Sequence, residues 1–394
     1  MAQGGPSPQS PASSATYDAI VVGLGAMGSA AAYHLARRGR RVLGLEAFPR
    51  GHTFGSSHGE TRIIRLAYFE HPNYVPLVRR AYTLWEALQR EAGTELLRPT
   101  GGLFVGPPEG TLVSGSLRSA RVHGLPHEVL DAAEVRRRYP ALRPGPADVA
   151  LYEPQAGILF PERCIDVHLH LAAAAGAELR HEEPVRRWAA TASGVEVETN
   201  AGRYTTGWLV LTAGAWLGKL LADLRLPLQP ERIPIFWMHP RESPELFNAD
   251  RFPVWIWEAG DLGYFYGCPH VEWAGVKVGR HHSGEPCDPA TVDRQVRPGD
   301  EARARQFLAR CIPALDGPTA GSRVCLYTNT PDEHFVVDRH PGLPSVLFAG
   351  GFSGHGFKFA PVVGEILADL VTKGAATPAA DFVRAARFAV RPPG

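Results

Sequence analysis

Residues 17–28 read Tyr17-Asp18-Ala19-Ile20-Val21-Val22-Gly23-Leu24-Gly25-Ala26-Met27-Gly28, and this stretch decides the fold. Its first half is a short strand with apolar residues on both faces, as expected of a strand buried in a parallel sheet. Residues 29–38 follow with helical spacing, and Arg41-Val42-Leu43-Gly44-Leu45-Glu46 reads as a second strand. Together they make a βαβ opening. Gly23 permits the tight turn, Gly25 lets the backbone approach a pyrophosphate, and Gly28 allows the helix to pack closely. The helix N-terminus then offers unpaired N–H groups to the anion. Glu46 lies about 20 residues beyond the glycines, where a ribose hydroxyl is expected. The pattern predicts a dinucleotide and does not separate NAD from FAD.

With 394 residues the chain is long for one domain, and about 100–200 residues per domain argues for two. No run approaches the roughly 18 apolar residues of a membrane helix, so a soluble protein is expected. A formal net charge of +1 gives no general attraction to nucleic acid or to an anionic membrane. Arg136-Arg137-Arg138 reads as a solvated helix face. Residues 1–16 are rich in Ser, Pro, Gly and Ala without an apolar core and are expected to be a disordered leader, not a secretory signal. The final Arg391-Pro392-Pro393-Gly394 is not a peroxisomal signal. Five cysteines without a CxxC pair fit neither a metal site nor a disulfide framework, which points to a reducing cytoplasm. Of the 41 basic residues only four are lysines (Lys219, Lys277, Lys358 and Lys373), so each surviving lysine invites a reason.

Elsewhere the spacing predicts a helix over 74–92, a strand near 100–106, an alanine-rich helix over 161–176 and alternating segments around Val185 and Val195. Residues 208–216 form another buried strand ending in a small-residue turn, with a helix from Leu217. The Pro-, Trp- and Tyr-rich stretch 227–280 suggests an antiparallel sheet. A last buried strand, 345–351, leads into Gly350-Gly351-Phe352-Ser353-Gly354-His355-Gly356-Phe357-Lys358 and a helix over 362–370. Nucleotide-type elements at the start, middle and end imply two interleaved domains. The expected division puts 17–75, 152–222 and 323–390 in a cofactor domain, and 76–151 with 223–322 in a substrate domain.

Six segments stand in order: GLGAMG at 23–28, GSSHGETRIIRLAY at 55–68, TAGAW at 212–216, GVKVGRHH at 275–282, CLYTNTPDEHFVVDRHP at 325–341 and GFSGHGFKFAPVVGE at 351–365. Through them the chain, from about Tyr17 to Arg384, resembles the monomeric sarcosine oxidase family of flavin-dependent amine oxidases, which also includes N-methyltryptophan and pipecolate oxidases. The resemblance implies an α/β fold: a glutathione-reductase-type FAD-binding domain interleaved with a catalytic domain whose antiparallel sheet covers the flavin. It implies FAD bound near Gly23, Gly25, Ala26, Met27, Gly28, Glu46, Ser56, His58, Thr61, Arg62, Val185, Ala213, Gly214, Trp216, Gly351, Gly354, His355, Gly356 and Lys358, and attached covalently through Cys325. On its residues alone, a single cysteine such as Cys325 reads as a small buried hydrophobe, and it is the resemblance that reverses this.

The implied reaction passes a hydride equivalent from the carbon beside a secondary amine to the flavin. O2 then reoxidises the flavin, giving H2O2, and water hydrolyses the imine. Arg65 and Lys358 would grip the substrate carboxylate, since positioning alone supplies much of a barrier; a structural ion pair is the other role open to Arg65. Lys277 would place a compact positive charge where superoxide develops. Tyr266, His281 and Tyr327 would line the substrate pocket, and His58 and Arg62 would lie near the flavin face. The chain departs from the family pattern at Ser57-His58, where paired histidines are usual, and at the bulky Val254-Trp255-Ile256-Trp257-Glu258. Those tryptophans could narrow the pocket toward sarcosine, stack on a larger N-alkyl or cyclic amino acid such as N-methyltryptophan, pipecolate or proline, or pack in the core. Other readings are an NAD-dependent dehydrogenase, a flavin dehydrogenase serving a protein carrier, and a non-catalytic flavoprotein. The expected partners are a small secondary amino acid and O2, with the protein a monomer.

Overall fold

The computed structural model describes residues 16–272, 275–282, 284–375 and 380–388. The expected leader, apart from Thr16, and the last six residues, 389–394, lie outside them. The apolar run that opens the chain forms a strand, Thr16–Val22, whose last four residues are buried. It pairs in parallel with Val42–Leu45 on one side and Arg203–Leu211 on the other. Glu178–Arg180 continues the sheet beyond Val42–Leu45, and Leu343–Gly350 pairs in parallel with the end of Arg203–Leu211. Strands from the start, middle and end of the chain thus share one eight-stranded sheet. Helix Ala26–Arg37 packs against helix Ala360–Lys373 so closely that a Cβ on Gly364 would stand 2.6 Å from the Ala30 carbonyl carbon.

A second eight-stranded sheet runs in the order Thr319–Asn329, Gln229–Met238, Val276–His281, Tyr264–Cys268, Val254–Glu258, Gly102–Gly106, Val149–Glu153, Glu128–Asp131. Its pairs are antiparallel except Val254–Glu258 with Gly102–Gly106. Side chains alternate across a strand, and the register divides this sheet cleanly. Ile256 and Tyr266 face one way, while Trp255, Trp257 and Phe265 face a core around Phe307 of helix Pro298–Cys311. A short third sheet joins Arg62–Ile64, Gly157–Leu159 and Leu97–Pro99.

Helix Tyr74–Ala92 has the predicted bounds, and its Trp85 is fully buried. Two expectations change. Residues 323–329, placed by sequence in the cofactor part, complete the long strand Thr319–Asn329 of the second sheet, where Cys325 pairs with Ile233. The helix expected from Leu217 is a single turn, Leu217–Leu220. No helix among the described residues is long and apolar enough to cross a membrane.

Candidate active site

One cavity of about 790 Å³ runs between the two large sheets. At one end lie Gly23, Gly25, Ala26 and Met27, with Glu46, Val185, Ala213, Gly214 and Trp216. Gly23 sits at φ 89°, and a Cβ there would come 2.7 Å from the Thr212 carbonyl oxygen. A Cβ on Gly28 would stand 1.8 Å from Gly23 O, so Gly28 packs the helix against the turn and does not itself reach the cavity. Gly25, at the N-cap of helix Ala26–Arg37, supplies no side-chain bond, and of the first-turn amides Ala26 N donates to Ser57 Oγ at 3.4 Å, which leaves the N–H groups of Met27 and Gly28 for an anion. Glu46 accepts bonds from Leu24 N at 2.9 Å and Phe48 N at 3.1 Å. Burial raises its pKa, but His52 and these amides outweigh burial and hold the carboxyl below its usual value.

At the other end Cys325, Tyr266, Tyr327 and His281 line the wall, with Ser56, Thr61 and Arg62 facing them. Arg62 donates to the carbonyls of Ser56 (2.8 Å), His58 (2.6 Å) and Thr61 (2.8 Å), and lies 3.6 Å from the Cys325 sulfur. Three carbonyls thus fix a cation beside the thiol. Burial, opposed by Arg62, raises the Tyr266 hydroxyl to about 12, and burial holds His281 well below the usual imidazole value. His281 Nδ1 is 3.3 Å from Tyr327 Oη. A Cβ on Gly354, at φ 80°, would come 2.3 Å from the Tyr327 ring. The glycine therefore makes room for Tyr327 as well as for whatever fills the cavity.

The cations occupy three different settings. Arg65 is 2% exposed and donates to both oxygens of Glu70 at 2.7 Å, so the ion pair left open by sequence is present, although both residues line the cavity. Lys358 donates to His355 O at 2.7 Å, and the indole of Trp85 donates to Lys358 O at 2.9 Å. Burial, with Arg65 next, lowers the Lys358 ammonium to about 7. Lys277 shares the sheet face of Tyr266 and Cys268, but its Nζ donates to Gly59 O and Thr61 O, both at 2.7 Å. It stands behind Thr61 and is not part of the wall.

His58 likewise sits behind the wall, and neither of its ring nitrogens has a hydrogen-bond partner among the described residues. Burial and then Arg62 hold it near 3, hence neutral. His355, at about 3 chiefly through burial, bonds to Tyr68 Oη at 2.6 Å and lines the cavity with Gly351, Gly356 and Lys358.

Of the three roles open to Trp255 and Trp257, the structure has them in the core. Their ring centroids lie 5.4 and 5.8 Å from that of Phe307, and Ile256 takes the place on the cavity wall. Four further residues escaped sequence reasoning. Glu70 and Glu162 line the cavity, as does Cys268, and the buried Glu153 accepts from Leu66 N (2.6 Å) and Ala67 N (2.8 Å). The only signal for Glu70 was its place two residues past a matched segment. The others lie outside the six matched segments.

The site fits FAD. It joins a glycine cradle with an uncapped helix end to a second end where a thiol, an arginine and two tyrosines converge. A family model described as FAD dependent oxidoreductase matches residues 18–370. The chain is 50% identical over 364 residues to a protein named monomeric sarcosine oxidase from Streptomyces avermitilis, covering 92% of this chain and 95% of that one. It is 36% identical over 356 residues to N-methyl-L-tryptophan oxidase of Salmonella heidelberg, covering 90% and 94%. Among solved structures it is similar to NikD, an unusual amino acid oxidase essential for nikkomycin biosynthesis, with TM-score 0.83 and 27% identity over 94% of this chain and 98% of that one.

Proposed function

The chain belongs to the FAD dependent oxidoreductases and, within them, to the flavin-dependent amine oxidases of the sarcosine oxidase family; from that premise we propose that it oxidises the N-methyl C–N bond of sarcosine or a similarly small secondary amino acid. O2 is the acceptor, and the products are H2O2 and an imine that water hydrolyses to aldehyde and amine. Bound FAD supplies the two-electron chemistry, and Cys325 tethers it, with Arg62 beside the sulfur. The protein works as a cytoplasmic monomer, in keeping with its five free cysteines.

The observation that carries this reading is a single cavity lined by the nucleotide cradle, Cys325, and the cations Arg65 and Lys358. A substrate carboxylate meets the Lys358 ammonium and the Arg65 guanidinium, the latter already paired with Glu70. Tyr266 and His281 are held neutral and close the apolar side of the pocket, where a neutral amine is stabilised over a charged one. Lys277 supplies fixed positive charge near the flavin for the reaction with oxygen.

A second reading is an oxidase of a bulkier N-alkyl or cyclic amino acid, or a dehydrogenase serving a carrier. The bulkier substrate draws support from the tryptophans, which leave Ile256 and Cys268 as the wall. An H2O2 assay across sarcosine, N-methyltryptophan, proline and pipecolate tests all of these. The largest kcat/KM with sarcosine is expected; turnover of any of them without H2O2 would replace the oxidase by a dehydrogenase.

A further inference from the structure

Lys277 is held by a turn, and a carboxylate holds the turn. Glu162, in the first turn of helix Pro161–Ala174, accepts from Gly59 N at 2.7 Å and from Glu60 N at 3.1 and 3.2 Å. Gly59 and Glu60 have φ of 100° and 72°. A non-glycine residue in that region costs energy, so Glu60 stays there only because something compensates. Thr61 N donates to Gly59 O at 2.8 Å and closes the turn. The carbonyls it presents, Gly59 O and Thr61 O, are the two acceptors of the Lys277 ammonium. An ammonium has three N–H donors, so fixing two fixes the direction of the third.

We propose that Glu162 is a positioning residue for Lys277: through the amides of Gly59 and Glu60 it sets the two carbonyls that aim the ammonium, and it lends that ammonium a counter-charge. The proposal rests on the reading of Lys277 as the cation of the oxygen reaction. The groups acting on Lys277 are few. Burial and then Arg62 lower it to about 8, whereas Cys268, Cys325 and Glu162 oppose them. Glu60 and the neutral His58 complete its titratable surroundings, with the Trp237 ring centroid 5.9 Å from Nζ. Glu162 is the carboxylate in this set that also bonds the turn.

The test uses the FAD-loaded enzyme with isotope-labelled lysine, since four lysines give four NMR signals and Lys277→Met identifies one of them. Glu162→Gln keeps an acceptor oxygen and removes the charge. Its Lys277 midpoint should fall by about half a pH unit, and reoxidation of reduced enzyme by O2 should slow about twofold at pH 8 and not at pH 6. Glu162→Ala frees the turn as well, so its reoxidation should fall about tenfold at both pH values, with reduction by substrate unchanged. A Lys277 midpoint unmoved in Glu162→Gln, or reduction slowing in step with reoxidation, overturns the proposal. A moved midpoint with unaltered reoxidation instead keeps the positioning role and removes Lys277 from the oxygen reaction.

Discussion

Lys358 carries the sharpest pH dependence in the site. Its ammonium is charged below about 7 and neutral above it, so affinity for a small non-oxidisable carboxylate should weaken about tenfold per pH unit once that value is passed. Titrating such a ligand by its effect on the flavin absorption band between pH 6 and 9 measures this, and a flat profile removes Lys358 from the clamp. Lys358→Met should abolish the dependence. At the same scale, Lys277→Met should slow reoxidation by O2 far more than reduction by substrate; equal losses would contradict its role. Both lysines were legible because the chain has so few. The carboxylates were not, since acidic residues are common and nothing local marks Glu153 or Glu162. Each acts by accepting backbone amides 87 or 103 positions away, a relation that exists only once the chain has folded.

The strand Val254–Glu258 shows what an element reveals and what it hides. Alternation across it could be read from sequence, but which face meets the cavity depends on Phe307, in a helix later in the chain. Sequence therefore left Trp255 and Trp257 open between pocket and core, and the packing on Phe307 puts them in the core. Trp257→Ala should destabilise the fold by about 3–5 kcal/mol and change substrate preference little, as thermal melts and a substrate panel would show. Ile256→Ala should do the reverse and move relative kcat/KM toward N-methyltryptophan by about tenfold; an unchanged ratio would mean that Ile256 does not bound the pocket. The glycines of 350–356 were legible as close approaches, but not what they approach. Gly354 yields to Tyr327 and Gly351 to the Thr330 side chain.

For the whole molecule, the interleaved order of elements was readable, because buried strands and glycine turns recur at the start, middle and end of the chain. The division at residue 323 was not, because a strand's partner sheet depends on pairing with Gln229–Met238. That strand brings Cys325 to the cavity from the second sheet, while the glycine cradle belongs to the first. A tethered cofactor would thus be held by both sheets. Cys325→Ser should release FAD on acid precipitation, and a yellow pellet would sink the tether. The same variant should gain stability with added FAD, about 2.7 kcal/mol at a hundredfold excess over Kd, seen as a rising Tm that the parent lacks.

Lys277 and Lys358 are 2% and 5% exposed, whereas Lys219 and Lys373 expose 56% and 65% of their side chains. An aldehyde-activated support or an amine-reactive dye would therefore find two handles among the described lysines and pass over the two in the interior. Such a surface suits covalent immobilisation on a peroxide-sensing electrode, where arginines remain unmodified and attachment falls on only a few points.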